Sequence, residues 1–502
     1  MNLINYHNKI ISNYRDYIQS FLNIKDPAII SFVDKEISDK KLWPEPLVQF
    51  NPTFEKGRPL SKLVDDGHLH KEIAKIFSGY GLYKHQEEAI SLGCKDKEFI
   101  VTSGTGSGKS LTYIATIFNK VLQMGSSAHK KVQAVIVYPM NALINSQYKE
   151  IDKFKKNYEE KYGSTFPITF GQYTGQETET ERDLLRTNPP NIVLTNYMML
   201  ELILTRGGKD IDIRESILEN IRFLVFDELH TYRGRQGSDV SMLIRRIKSG
   251  AKNSVICIGT SATMVSSDDA TLLQQREKVA EIASTIFGTD IIYSQVVNEY
   301  LVKSLSTDKG PTVADLQSAI NQDLNINAPA IEFEKHATAK WIEEEIALES
   351  KEGKWIRRKP VQITGIAEAL SNLTGASFEQ CFEHIQALLQ WANKLNSDPN
   401  KSKNYLPYRL HQFIAQTGSV YATLGDQKSR KLYLNAGLYS EDKNTMLFPL
   451  MFSRTSGHEF TCVKLNHKES KLYPREFYDI IEDDDEGNKE EGYIFIQHTE
   501  DD

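Results

Sequence analysis

Two short stretches of this 502-residue chain bring together the residue types that phosphate chemistry needs. The first is Ser103-Gly104-Thr105-Gly106-Ser107-Gly108-Lys109-Ser110, preceded by the apolar run FIVTS and followed by the helical run LTYIATIFNKVL. Glycines in such a loop let successive backbone N–H groups converge on phosphate oxygens at a helix N-terminus. Lys109 is then expected to pair with the β- and γ-phosphates of ATP, and Ser110 to ligate Mg2+. Ser103 stands where the strict GxxxxGK[ST] spacing has glycine. The plain alternative is a glycine-rich turn before a helix, and the Lys-Ser pair in strand–helix context weighs against it. The second stretch is Leu224-Val225-Phe226-Asp227-Glu228-Leu229-His230, an apolar strand ending in two acids. Asp227 is placed to hold the Mg2+ shell and Glu228 to orient and deprotonate an attacking water. Alone an acidic pair after a strand is weak evidence; downstream of a phosphate loop it is strong.

These residues need a scaffold, and the hydrophobic pattern supplies one. The short apolar runs FIVTS, VQAVIVYP, NIVLT, IRFLVFDE and SVICIGTSA alternate with helical stretches from about residue 71 to 303. Such alternation predicts a parallel sheet covered on both faces. Residues 1–70 read as an accessory segment, with one amphipathic helix in NYRDYIQSFL and a Pro-punctuated stretch after it. A linker is expected over 304–358. Two amphipathic helices, TGIAEALSNLTG and SFEQCFEHIQALLQWANKL, then open a winged-helix-like and β-rich region over 359–470, and an acidic tail or linker occupies 471–502. The expected fold class is α/β, a parallel-sheet P-loop lobe followed by an α+β accessory region.

Bulk properties narrow the classes. The net charge is −7, yet residues 476–502 hold twelve acids against one lysine, net −11, which leaves +4 for the rest. A mildly positive body can carry a basic track for a polyanion. No stretch approaches the roughly 20 apolar residues of a membrane span, and MNLINYHNKI lacks the order of a signal peptide. A cytoplasmic protein with no membrane partner is expected. Cys94, Cys257, Cys381 and Cys462 are too scattered for a zinc site and read as buried thiols.

In order along the chain, Gly104–Ser110, Asp227–His230 and Ser261-Ala262-Thr263 resemble motifs I, II and III of superfamily 2 DExH-type helicases, a likeness that covers roughly residues 40–470. Leu82-Tyr83-Lys84-His85-Gln86 is similar to the Q motif, which implies that Gln86 reads the adenine edge. Tyr138-Pro139-Met140-Asn141-Ala142-Leu143 with Gln147 resembles motif Ia, and Leu194-Thr195-Asn196-Tyr197-Met198-Met199-Leu200 resembles motif Ib. The likeness implies a RecA-like lobe that binds ATP and Mg2+. It also implies nucleic-acid contacts from Pro139, Asn141, Gln147, Thr195 and Asn196, and coupling between the two sites by Ser261 and Thr263. His230 is expected to link the nucleotide site to nucleic acid, although a polar helix-start residue is the blander reading. Both loops follow expected strands, so they should emerge on the carboxyl edge of the sheet, where open α/β folds bind ligands. Their polar groups suit phosphate contacts, which position a strand without reading its sequence.

The wording after motif II, DELHTYRGRQGSDVSMLIRRIK, resembles the prokaryotic MrfA-like repair helicases and the defence-associated helicases, as does Leu406-Pro407-Tyr408-Arg409-Leu410-His411-Gln412-Phe413 after the helical pair. That tilts the expected partner to DNA rather than RNA. Relatives often carry Cys-x-x-Cys-Gly where this chain reads Ser453-Arg454-Thr455-Ser456-Gly457, and hydroxyls replace thiolates poorly at zinc. No QxxGRxGR-type motif VI is present. An arginine finger contributes about 10³ to 10⁵ in rate, so this chain alone is expected to bind ATP·Mg2+ weakly and to hydrolyse it barely. Three readings stay open: a helicase lacking its second motor lobe, half of a split motor with a partner chain, and a non-catalytic nucleic-acid- or partner-binding protein built on a vestigial lobe.

Overall fold

Short runs of β-branched and aromatic residues, each bounded by a loop, form the central sheet of the chain. The structure, a computed structural model, describes residues 3–20, 23–39, 43–104, 106–208, 210–262, 270–305, 310–401, 403–415, 419–425, 429–434, 437–440, 443–476 and 489–496. Two compact units emerge. One comprises Pro52–Lys303 with Leu348–Arg357; the other comprises Met1–Asn51, Ser304–Ala347 and Arg358–Asp502.

In the first unit seven strands lie parallel: β1 (Phe99–Thr102), β2 (Ala134–Val137), β3 (Phe170–Tyr173), β4 (Ile192–Thr195), β5 (Phe223–Phe226), β6 (Ile256–Ser261) and β7 (Val296–Asn298). Their order across the sheet is β7-β1-β6-β5-β2-β4-β3. Successive side chains of a strand face opposite sides, and here both sides are covered. Phe99, Val101, Ala134, Ile136, Leu194 and Val225 enter one apolar core, while Ile100, Val135, Val137, Val193, Leu224 and Phe226 enter the other. This explains why the strands read as unbroken apolar runs. The covering helices include α1 (Lys84–Cys94), α2 (Lys109–Met124), α3 (Asn141–Tyr162), α4 (Glu179–Thr187), α5 (Tyr197–Thr205), α6 (Ile211–Asn220), α7 (Gly234–Gly250) and α8 (Leu272–Phe287). A four-stranded antiparallel sheet completes the unit, ordered Leu348–Lys351, Lys354–Arg357, Leu301–Val302, Thr53–Phe54. The α/β class expected from the sequence is what the chain forms.

The second unit is built from segments far apart in sequence. Leu47–Phe50 pairs antiparallel with Val361–Gln362 on one side and Tyr408–His411 on the other. Behind this sheet the helices Ile363–Thr374 and Phe378–Asn396 share a core with Phe333, Trp341 and Val48. A larger antiparallel sheet uses Val420–Thr423, Leu447–Phe452 and Glu459–Asn466, within the region read as β-rich. Residues 1–70, read as one accessory segment, are divided between the units because Leu47–Phe50 finds its partners near residues 361 and 410. The stretch 304–358, read as a linker, contains the helices Val313–Ile320 and Ala330–Lys335 and the hairpin at 348–357.

The core of this second unit contains a histidine pair. His336 and His384 stack with ring centroids 5.4 Å apart, and His384 Nε2 lies 3.0 Å from Thr338 Oγ1. Burial holds both imidazoles down at about 4, and His336 lowers His384 further. The unfolded value is about 6.5, so between pH 6.5 and 4 the unfolded chain binds more protons than the folded one. The stability these neutral rings contribute is therefore complete above pH 6.5 and is lost as pH falls toward 4. From pH 6.5 to 5 the loss should be on the order of 1–2 kcal/mol for each ring. Thermal denaturation across this range should show the drop, and His384→Gln should flatten it; an unchanged slope in that variant would refute the assignment.

Candidate nucleotide site and nucleic-acid face

Strand β1 delivers the phosphate loop at its carboxyl end. The loop can turn into α2 because Gly106 and Gly108 adopt φ of 83° and 73°, the left-handed region that side chains resist. Gly108 has a second constraint: a Cβ there would sit 2.4 Å from Gln86 Nε2. Lys109 opens α2 and is buried, its Nζ donating to Ser103 O at 3.0 Å. Ser103 and Ser107 join through their hydroxyls at 2.6 Å. The loop is thus closed on itself before any ligand contact.

Strand β5 carries the acids, with β6 between it and β1. Lys109 Nζ lies 3.6 Å from Glu228 Oε1, so the loop and the acidic pair meet. The Thr260 hydroxyl donates to Asp227 Oδ1 and accepts from the Glu228 N–H at 3.2 Å. Burial pushes the Asp227 carboxyl up to about 6; the Thr260 hydrogen bond opposes this, Glu228 adds to it and Lys109 opposes it. Glu228 takes φ of 52°, a strained setting for a side chain, and its buried Oε2 accepts no hydrogen bond. His230 Nδ1 lies 3.3 Å from that oxygen but is 3.1 Å from Ser261 Oγ, with which it bonds. Motifs II and III are therefore in direct contact through His230 and Ser261. Thr105 and Thr263 lie outside the described residues.

These donors fit a magnesium triphosphate. A hydroxyl and a carboxylate are the hard oxygen ligands Mg2+ takes, and Ser110, Asp227 and Glu228 line one cleft. That cleft has a volume of about 870 Å3, and its lining includes Gly106–Leu111, Asp227 and Glu228 together with Lys56, Gly57, Pro59 and Gly81–Tyr83.

Gln86 borders it in an unexpected state. Its Oε1 accepts from Tyr83 N at 2.9 Å, and its Nε2 donates to Ser107 O and Gly108 O at 3.2 and 3.0 Å. The amide that the Q-motif likeness assigns to adenine is here spent on the helix cap and the phosphate loop.

The residues of the loops likened to motifs Ia and Ib divide into two groups. Asn196 caps α5 by accepting from Met199 N at 2.9 Å, and its Nδ2 donates to Asn141 Oδ1 at 2.9 Å, tying the Ia and Ib loops together. Pro139 and Asn141 are half-buried, and Met140 and Met198 beside them are exposed. Thr195 is buried, with its hydroxyl donating to Tyr173 O at 2.6 Å, and so points into the sheet rather than out of it. Gln147 lines the same cleft, where its Oε1 is buried without a hydrogen bond. Sequence reasoning missed Thr260, Glu299 and Arg357, all of which touch the loop or the acids. Thr260 stood next to a flagged motif, whereas nothing in the linear pattern marked the other two.

A parallel sheet with a glycine-rich loop at the end of one strand, and an acidic pair two strands away, defines a RecA-like P-loop nucleotide-binding fold. Residues 83–270 match the DEAD/DEAH box helicase family model. Members of this family use ATP, generally with Mg2+. Among curated relatives, the Druantia protein DruE of Escherichia coli (strain UMEA 4076-1) is 24% identical over 51% of this chain and 20% of its own length. The ATP-dependent helicase Lhr-Core of Sulfolobus acidocaldarius is 26% identical over 53% of this chain and 29% of its own. The uncharacterized ATP-dependent helicase YprA of Bacillus subtilis is 30% identical over 43% and 27%. The chain thus spans less than a third of the length of these relatives. A solved structure of the DUF1998 helicase MrfA bound to DNA and AMPPNP is 18% identical, covering 68% of this chain and 43% of its own, with a TM-score of 0.39. No described helix is long and apolar enough to cross a membrane.

Proposed function

We propose that this chain is the ATP- and single-strand-binding lobe of a superfamily 2 helicase or translocase that acts on DNA in defence or repair. The observation that carries the reading is the meeting of Lys109 and Glu228 at 3.6 Å across a cleft with the donors a magnesium triphosphate needs. Lys109 and the loop from Ser103 to Ser110 hold the phosphates, and Ser110 and Asp227 hold Mg2+. Glu228 takes the proton of the attacking water. Bound ATP supplies the energy of the cycle. His230 and Ser261 pass the state of the nucleotide site to the nucleic-acid face, where Pro139, Asn141 and Asn196 contact the backbone of one strand. The helix pair and three-stranded sheet of the second unit support a winged-helix reading, as a wedge or duplex grip. Preference for DNA rests on the sequence likeness to repair and defence helicases.

Fluorescence anisotropy with a labelled ATP analogue and Mg2+, and with matched DNA and RNA single strands, tests this. The expected result is nucleotide binding, DNA binding tighter than RNA binding, and a change in DNA affinity when nucleotide is added. DNA binding indifferent to nucleotide would favour the non-catalytic binding protein, and tighter RNA binding would overturn the choice of DNA.

A further inference from the structure

Glu299 follows β7, whose last residue pairs with Thr102 at the end of β1, so the carboxylate arrives beside the start of the phosphate loop. Its backbone N–H bonds Thr102 O at 3.2 Å, and its Oε2 accepts from the Gly104 N–H at 2.8 Å. An acid therefore occupies one of the loop amides that serve anions. Arg357, the last residue of the Lys354–Arg357 strand, stands over the same point with its Nε 3.5 Å from Glu299 Oε1, both side chains mostly buried. A Cβ on Gly104 would lie 2.9 Å from the Arg357 guanidinium, so only glycine lets the arginine come this close to the loop. This is also the end of the loop that a terminal phosphate would meet if Lys109 acts as P-loop lysines do. Lys109, the group that reaches β- and γ-phosphates, places its Nζ on Ser103 O, the neighbouring carbonyl.

We propose that Glu299 is a carboxylate placeholder for the terminal phosphate and that Arg357 is the arginine that reads that phosphate within this chain. In the nucleotide-free loop Glu299 holds the Gly104 N–H. When a triphosphate enters, Gly104 exchanges the carboxylate for a phosphate oxygen, and Arg357, already against the loop, pairs with the same anion. A guanidinium suits this because its fork of N–H groups donates to a carboxylate or a phosphate without being rebuilt. The proposal rests on the nucleotide reading above and adds a group that separates ATP from ADP.

Calorimetric titration of Mg2+ with a non-hydrolysed ATP analogue, and separately with ADP, tests it on wild type, Arg357→Ala, Arg357→Lys and Glu299→Gln. Arg357→Ala should weaken the triphosphate by about tenfold and leave ADP within about twofold, with Arg357→Lys recovering part of the loss. Glu299→Gln should tighten the triphosphate several-fold. In nucleotide-free protein the same substitution should speed hydrogen exchange at the Gly104 amide. Equal shifts for both nucleotides in Arg357→Ala and Arg357→Lys would make the pair a structural brace and overturn the proposal, as would an unaltered Gly104 amide in Glu299→Gln. Wild-type protein that binds neither nucleotide would instead bring down the nucleotide reading itself, and this inference with it.

Discussion

Lys109→Ala should lower the affinity for an ATP analogue with Mg2+ by on the order of 100-fold, about 2.7 kcal/mol, whereas Glu228→Gln should change it by less than about threefold. The contrast follows from what each side chain does in the cleft. Lys109 is the buried cation between the loop and the acids, and its Nζ is held at Ser103 O. Removing it deletes charge-assisted contacts and also leaves Asp227 and Glu228 facing an incoming polyanion without their neighbouring positive charge. Glu228 carries a buried oxygen with no hydrogen bond, an arrangement suited to accepting a proton rather than to holding a ligand. In any assembly that hydrolyses ATP, Glu228→Gln should cost at least about 10²-fold in turnover while binding persists. Titration calorimetry and phosphate release measure the two arms. Equal loss of binding in both variants would mean that Glu228 is a structural ligand and not a base.

Gly108→Ala should damage both stability and binding. The residue takes φ of 73°, which costs a residue with a Cβ roughly 1–2 kcal/mol. The added methyl also meets Gln86 Nε2 at 2.4 Å, too close for any real contact. Gln86 cannot swing aside freely, since its amide caps α1 and holds two carbonyls of the loop. A loss of roughly 2–4 kcal/mol in unfolding free energy is expected, with nucleotide affinity falling in parallel. Adding Gln86→Ala should restore the steric part alone. Urea denaturation of the two single variants and the double separates the terms, and strict additivity would show that the methyl and the amide never meet.

The parallel sheet was readable in advance because both its faces are buried, which leaves continuous apolar runs such as VQAVIVYP and IRFLVFDE with no polar alternation to confuse them. The phosphate loop and the acid pair were readable because their chemistry requires particular residues in consecutive positions. Three features were not. Thr195 lies inside a motif whose loop faces outward, yet strand alternation turns its hydroxyl inward to Tyr173 O, and a motif match carries no such parity. Gln86 was assigned to a ligand, but a glutamine three residues into a helix also closes a capping box, and here the backbone claims the amide. Glu299 and Arg357 reach the loop only because β7 lies beside β1 and a hairpin more than 50 residues later folds back onto the same unit. No local pattern announces a contact made at that separation.

The pairing of Leu47–Phe50 with Tyr408–His411 has a consequence for how the chain is made. The early strand must wait for its second partner until roughly 360 residues further along. At about 5–20 residues per second this is a delay of roughly 20–70 s on the ribosome. Through that interval the carboxyl-side unit has no finished sheet to protect Val48 and Phe50, while the sheet of residues 99–298 can already close. Slow translation or scarce holding chaperones should therefore injure the later unit first, and aggregates formed during synthesis should contain a folded nucleotide lobe.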